Sequence, residues 1–149
     1  MKTKNSNTKL KEHILKEITN AKDWSKTDEA RTFVKINNNG FSNTELSIDT
    51  LNIDLIELAN GESTVIDSES FSLKNYMIGD VIDKVIQSAN DNIEKGFCVS
   101  IQILASSPCS DDLETIENKD DWTWIVFSLI AHLSTDTTLE LYPFEAEAF

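Results

Sequence analysis

The spacing of apolar residues changes at Gly96, and this change constrains the fold more than any other feature of the sequence. After Gly96, apolar and polar residues alternate from Phe97 to Ala105, as in a strand with one buried face. Before it, Ser72 offers a helix cap and Gly96 follows the final lysine, as helix stops often do. Apolar residues at helical spacing form one continuous face and predict a helix over residues 74–95: Ile78, Val81, Ile82, Val85, Ile86, Ala89 and Ile93.

Other segments supply a first helix and further strands. Apolar residues at helical spacing predict a basic amphipathic helix from about Thr8 to Ala21. The β-branched and aromatic content of residues 32–36 favours a strand. Residues 122–133 are apolar on both faces, which predicts a strand near the centre of a sheet. A last strand from Leu139 to about Tyr142 precedes Pro143, which favours an edge position.

Residues 47–59 fit two patterns. Leu51, Ile53 and Leu55 alternate with polar residues, as in a half-buried strand, but Leu51, Leu55 and Leu58 also fit a helical period. The dipeptide Asn60-Gly61 favours the positive φ angles of a tight hairpin turn. We therefore predict two strands joined at this turn, with the second running from about residue 62 to 67. The alternative is a helix that ends at Asn60, with Gly61 as its C-cap.

These elements predict an α+β fold with a mainly antiparallel sheet and two packed helices, in the order α-βββ-α-βββ. A chain of 149 residues has the common size of one domain, so residues 1–149 are expected to form a single acidic domain. Residues 1–31 are expected to form a basic helical segment packed on it.

The net charge of −13 is unevenly distributed along the chain. Residues 1–35 hold nine Lys and Arg against five Asp and Glu, whereas residues 36–149 hold four lysines against 21 acids. An acidic surface repels phosphates, which argues against direct binding of nucleic acid. Such a surface attracts a basic protein instead. The alternative is that the charge serves solubility alone.

Motifs for catalysis, cofactors and metals are missing from the sequence. The four glycines are far apart, so a phosphate-binding loop is excluded. Two isolated histidines and two cysteines, Cys98 and Cys109, form no pattern for zinc or redox chemistry. A bridge between these cysteines stays open. We predict no catalytic residue, no cofactor and no metal, and therefore a protein that is not an enzyme. The cysteine content and the absence of a signal peptide or membrane span predict a cytoplasmic protein.

Acidic residues concentrate in two segments, which we predict to contact a partner. The first is a connection of about sixteen residues between two strands, a length typical of functional or mobile loops. The second is the C-terminus, where acids surround Leu141, Tyr142 and Phe144, an arrangement that suits an interface. The predicted partner-binding residues are Asp111, Asp112, Glu114, Glu117, Asp120, Asp121, Glu140, Glu145 and Glu147.

The leading hypothesis is a small acidic binding protein that inhibits a basic, nucleic-acid-processing protein by covering its cationic surface. Its partner would be a toxin or a host nuclease, so the chain would be an immunity protein or a phage- or plasmid-encoded antagonist that mimics nucleic acid charge. One alternative is a ligand-binding or enzymatic domain with a pocket near His132, lined also by Cys98, Trp122 and Trp124. Another is a structural or assembly subunit. The sequence leaves the oligomeric state open.

Overall fold

The fold is known from a computed structural model, which describes residues 2–37, 46–74, 77–108, 122–136 and 139–148. These ranges contain three helices and six strands. In chain order they are α1 (Lys2–Ser25), α2 (Asp28–Asn37), β1 (Ser47–Ala59), β2 (Glu62–Ser72), α3 (Ile78–Glu94), β3 (Cys98–Pro108), β4 (Trp122–Leu133), β5 (Leu139–Leu141) and β6 (Glu147–Ala148).

The strands form one antiparallel sheet in the order β2-β1-β3-β4-β5, and the short β6 also pairs with β4. The first two strands form a hairpin whose turn has positive φ at both central residues, 55° at Asn60 and 78° at Gly61. These angles match the predicted tight turn, because Asn and Gly tolerate the left-handed region at low cost. Residues 47–59 are therefore a strand, and the helical alternative for them is wrong.

The core lies between α1, α3 and one face of the sheet. Ile53, Ile101 and Ala131 are directly opposite one another on β1, β3 and β4, and each is fully buried. The predicted buried face of β3 is confirmed for Val99, Ile101, Ile103 and Ala105, but the prediction that only this face is buried is wrong, because Ser100 and Gln102 on the opposite face are each 8% exposed. The helices contribute further buried residues to the same core, including Leu10, Ile14, Ile18, Val81, Ile82 and Val85.

The register of β4 shifts at a bulge beside Ile130. Gln102 pairs with Leu129 and Ile101 pairs with Ala131, so Ile130 is an extra residue in the ladder. Ile130 and Ala131 are both fully buried in the core. The alternation of faces along β4 therefore breaks here, so that Ile130 lies on the core face and His132, opposite Ser100, lies on the other face.

The strand predicted over residues 32–36 is wrong, because this segment lies within α2. Ala30 and Val34 are four residues apart on the buried face of a helix, and Phe33 packs beside them. The hydroxyl oxygen of Thr27 accepts a hydrogen bond from the backbone N–H of Ala30, which caps the helix start. Asp28 and Glu29 stand in the first turn, where they complement the helix dipole. Local capping and burial thus outweigh the β-propensity of Thr, Val and Ile.

The α+β class and the antiparallel sheet are confirmed, but the element order differs from the expected one. Two helices precede the first hairpin, and four strands follow α3 when the two-residue β6 is counted. The first helix extends beyond the predicted range at both ends. Ser72 ends β2 and does not cap α3, whose N-cap is Met77. Gly96, at φ 97°, follows the C-cap Lys95 as predicted. Within the described ranges, no helix is long and apolar enough to cross a membrane.

Candidate functional site: the acidic sheet

The strands of the sheet carry acids and no cation. Not one Lys or Arg occurs in β1–β6, whereas α1, α2 and the link between them hold nine of the thirteen in the chain. The fold therefore separates the two charges into different layers. The eight strand carboxylates belong to Asp49, Asp54, Glu57, Glu62, Asp67, Glu69, Glu140 and Glu147.

The basic helices do not neutralise the sheet in the described part of the chain. Lys11 Nζ lies 2.7 Å from Asp83 Oδ1 of α3, and Arg31 pairs with Asp28 of its own helix at 2.9 Å. Among described side chains, none of the cations of α1 and α2 reaches a strand carboxylate. On the sheet itself, Lys74 Nζ forms an ion pair with Asp49 Oδ2 at 3.3 Å. The cations of α1 and α2 therefore leave the strand carboxylates uncompensated within the described residues.

Neutral donors hold Asp54 on the sheet face opposite the helices, which we call the open face; Asn52, Ser100 and Gln102 on this face are themselves buried. Asp54 Oδ1 accepts hydrogen bonds from Ser68 Oγ and from Asn52 Nδ2, the latter at 3.0 Å. Its Oδ2 accepts one from Gln102 Nε2 at 3.0 Å. Gln102 also accepts from Asn52 at 2.8 Å, and Asn52 accepts from Ser70. Amide and hydroxyl donors orient the carboxylate without cancelling its charge.

The same row of the open face continues through Ser100, His132 and Glu140, which are directly opposite one another on β3, β4 and β5. Ser100 Oγ lies 3.2 Å from His132 Nδ1, within hydrogen-bond distance. Glu140 accepts a hydrogen bond from the Tyr142 hydroxyl. That hydrogen bond, with the partial desolvation and negative charge beside it, raises the pKa of Tyr142 above its usual value.

The predicted C-terminal residues lie together at one edge of the sheet. Glu140 on β5 pairs with His132, and Glu147 on β6 pairs with Phe127, which places both on the open face by register. Glu145 is exposed between them, and its backbone N–H donates to Ser128 Oγ at 2.9 Å. Phe144 and Ala146 pack towards the core in alternation with these acids. We call Glu140, Glu145 and Glu147 the C-terminal acidic edge.

The other predicted group lies outside the described residues. Asp111, Asp112, Glu114, Glu117, Asp120 and Asp121 all fall in residues 109–121. The flanking residues Pro108 and Trp122 pair with each other at the ends of β3 and β4. Any contact by these six acids remains a prediction, as does a bridge involving Cys109. Cys98 is buried, as expected for a small apolar side chain.

The β1–β2 hairpin is a surface that the sequence reasoning did not identify. β3 pairs with β1 only as far as Ile56 and Cys98, so the hairpin projects beyond β3. Leu58, Val65 and Ile66 are 64%, 55% and 45% exposed on this projecting part. The available signal was the uninterrupted strand pattern on both sides of Asn60-Gly61.

Two of the residues named for a pocket near His132, Trp122 and Trp124, lie far from it along β4. Trp124 and His132 pair with Ser106 and Ser100, which are six residues apart on β3, about 20 Å at about 3.3 Å per residue, and Trp122 lies farther along. Ser100 contacts the Nδ1 atom of His132, whereas a hydrolytic triad holds an acid at this nitrogen and the nucleophile at the other. Among described residues, no group of three or more His, Cys, Asp and Glu is placed to hold a metal ion.

Comparison with known proteins gives no relative for this chain: no family model, no curated protein and no solved structure matches it.

Proposed function

We propose that this protein is a small acidic binding protein that inhibits a basic, nucleic-acid-processing protein by covering its cationic surface. The observation that carries the proposal is the cation-free sheet, whose carboxylates the basic helices leave uncompensated within the described residues. An immunity protein that neutralises a nuclease toxin fits this description. A phage- or plasmid-encoded antagonist of a host nuclease fits it equally.

Inhibition would follow from competition for the cations that grip phosphates. Lys and Arg of a nuclease bind the nucleic acid backbone, and this electrostatic part dominates non-specific affinity. Asp54, Glu140 and Glu147 lie on the open face by register, whereas Asp67 and Glu69 lie two residues apart, about 6.6 Å, on the helix side of β2. These carboxylates would present negative charge without a phosphate that could be hydrolysed. Substrate would be excluded without any chemistry by this chain.

The two charge layers would also orient the encounter. A basic partner repels the α1 and α2 layer and attracts the sheet, so productive approach is favoured with the sheet leading. Leu129, which is 38% exposed and pairs with Gln102 on the open face, would then supply apolar burial at the contact. Charge would set the association rate, and apolar burial would set the residence time.

The experiment is capture of the basic partner from the native host, followed by inhibition of the captured nuclease. The test variant reverses the C-terminal acidic edge by Glu140→Lys, Glu145→Lys and Glu147→Lys. Its matched control reverses three exposed acids of the helical layer, Glu12→Lys, Asp23→Lys and Glu29→Lys, which changes the net charge equally. We expect the control to inhibit like the wild type and the test variant to lose at least about tenfold in affinity.

Two results would contradict the proposal. The first is equal binding by the test variant and the control, which would show that the sheet carboxylates are not recognised. The second is a captured protein without a basic surface, bound equally at low and high ionic strength. A parallel variant with Asp111, Asp112, Asp120 and Asp121 changed to lysine tests the contribution of residues 109–121.

A second candidate function, binding of a small ligand on the open face, is favoured by the Ser100–His132 contact. A half-buried histidine beside a buried serine offers polar groups that can orient a ligand. Thermal-shift screening against metabolites would support this candidate if a compound stabilises the wild type and fails with His132→Ala. Stabilisation by a macromolecular partner alone would reject it.

A further inference from the structure

Strand β2 forms one end of the sheet, and its outer edge is open in the described structure. The strand order places β1 on one side of it and no strand on the other. Ten of its eleven residues are exposed, with Phe71 half-buried. An edge of this kind presents backbone N–H and C=O groups that another extended chain can pair with.

The two faces of β2 differ in chemistry. Register with β1 places Glu62, Asp67 and Glu69 on the helix side, and Ser88 of α3 donates to Glu69 at 2.9 Å. The opposite side carries Val65 and the serines at 63, 68 and 70. A strand added to this edge would therefore meet acids on one side and small or apolar residues on the other.

The negative charge of β2 determines which kind of strand can pair with its outer edge. A second copy of this chain is disfavoured, because β2 contains three acids and no cation, so self-pairing forms no opposite-charge pair and brings like charges together in several registers. A strand with alternating basic residues reverses the sign of the same interaction. The carboxylates that protect the edge from self-association thus favour a cationic strand.

We propose that β2 accepts an added strand from an extended basic segment of the partner protein. This inference rests on the proposed function and identifies where on the sheet the partner's chain would lie. The most regular part of the edge is residues 67–72, where six consecutive residues pair with β1 without a shift. The bulge at Ile66 ends this run, and the exposed Val65 and Ile66 lie beside it.

The test uses defined peptides and the intact chain, without the natural partner. One octapeptide alternates Lys and Val, and its matched control alternates Glu and Val. A third carries the Lys-Val sequence with alternate amides methylated, so that it keeps the charge and loses the donors on one edge. Binding is followed by the amide NMR signals of β2 and by titration with labelled peptide.

We expect the Lys-Val peptide to shift and protect β2 amides. The methylated peptide should bind at least about tenfold more weakly, because interstrand hydrogen bonds are lost. The exposed acids allow a reversal, since Glu62→Lys with Asp67→Lys should bind the Glu-Val peptide in preference. Far-UV circular dichroism of this variant confirms that the fold is retained.

Three results would overturn the inference: equal binding of the methylated and unmethylated peptides, NMR shifts outside β2, and concentration-dependent self-pairing through β2 without peptide. These outcomes are separate from the proposed function, which is tested through the C-terminal acidic edge. If capture succeeds and the peptides fail, the partner binds the sheet without adding a strand.

Discussion

Asp49 provides a direct test of how the acidic sheet tolerates a buried carboxylate. Its side chain is 7% exposed and lies in the irregularity where β1 shifts register against β3. Oδ2 accepts a hydrogen bond from Ser106 Oγ at 2.7 Å and pairs with Lys74 at 3.3 Å. Oδ1 accepts from Thr50 at 3.2 Å. The substitution Asp49→Ala removes all three interactions.

The expected cost follows from these contacts. A hydrogen bond to a charged acceptor contributes about 1.5–3 kcal/mol, and the longer contact with Thr50 about 0.5–1 kcal/mol. Lys74 is 52% exposed, so its ion pair adds about 0–1 kcal/mol. We expect Asp49→Ala to lower the free energy of unfolding by about 2–5 kcal/mol. Most of this loss comes from the broken hydrogen bond of the Ser106 hydroxyl, because Ser106 is 1% exposed and its hydroxyl is left without its acceptor.

Urea denaturation followed by far-UV circular dichroism measures this cost, and a double-mutant cycle with Ser106→Ala assigns it. The double variant has no orphan hydroxyl, so its destabilisation should fall short of the sum of the single variants by about 1–2 kcal/mol. High salt, with a Debye length of about 3 Å at about 1 M, should change the result little. A cost below about 1 kcal/mol, or an additive cycle, would refute the assignment of the loss to the Ser106 hydrogen bond.

Two further predictions concern the hairpin turn and the C-terminal edge. Gly61→Ala should destabilise the fold by about 1–2 kcal/mol, because the backbone φ is 78° at this position. Gly79→Ala in α3 should stabilise the fold by up to about 1 kcal/mol, because the added Cβ atom meets no atom within 4 Å. Equal effects of the two substitutions in urea denaturation would contradict this prediction. Tyr142 should titrate above the ordinary tyrosine pKa of about 10, and Glu140→Ala should lower that midpoint by removing the hydrogen bond and the charge. Tyrosinate absorbance in a Tyr76→Phe background measures it, and an unchanged midpoint would contradict the proposed cause.

Local signals were sufficient for most of the fold. The Asn60-Gly61 turn requires positive φ and leaves few alternatives, so the hairpin could be read from the sequence. The α3 helix and β3 have long, regular periods that tertiary packing reinforces. The strand prediction for residues 32–36 was wrong because their β-propensity is a stronger signal than two buried residues of a ten-residue helix. The bulge at Ile130 was not predicted, because no residue type in the sequence marks the extra residue that changes the alternation.

The candidate site was harder to predict, because it depends on contacts across strands. Ser68, Asn52 and Gln102 are separated from one another by up to 50 residues in sequence, yet all three reach the Asp54 carboxylate. Only the strand register brings them together. The acids of the C-terminal acidic edge could be grouped from the sequence because they alternate with apolar residues, of which Phe144 and Ala146 pack on the core. The absence of cations from the strands was visible in the sequence, but its meaning required the topology.

The lack of Lys and Arg in the strands also determines where trypsin can cut. Trypsin cleaves after basic residues, so within the described ranges every accessible bond lies in a helix or a connection. The fragment from residue 36 to residue 74 contains both strands of the hairpin without an internal cleavage site. Digestion of the folded protein would therefore remove or nick the helical layer while each strand stays covalently intact. The order of tryptic cleavage would report how firmly α1 and α2 are attached to the sheet.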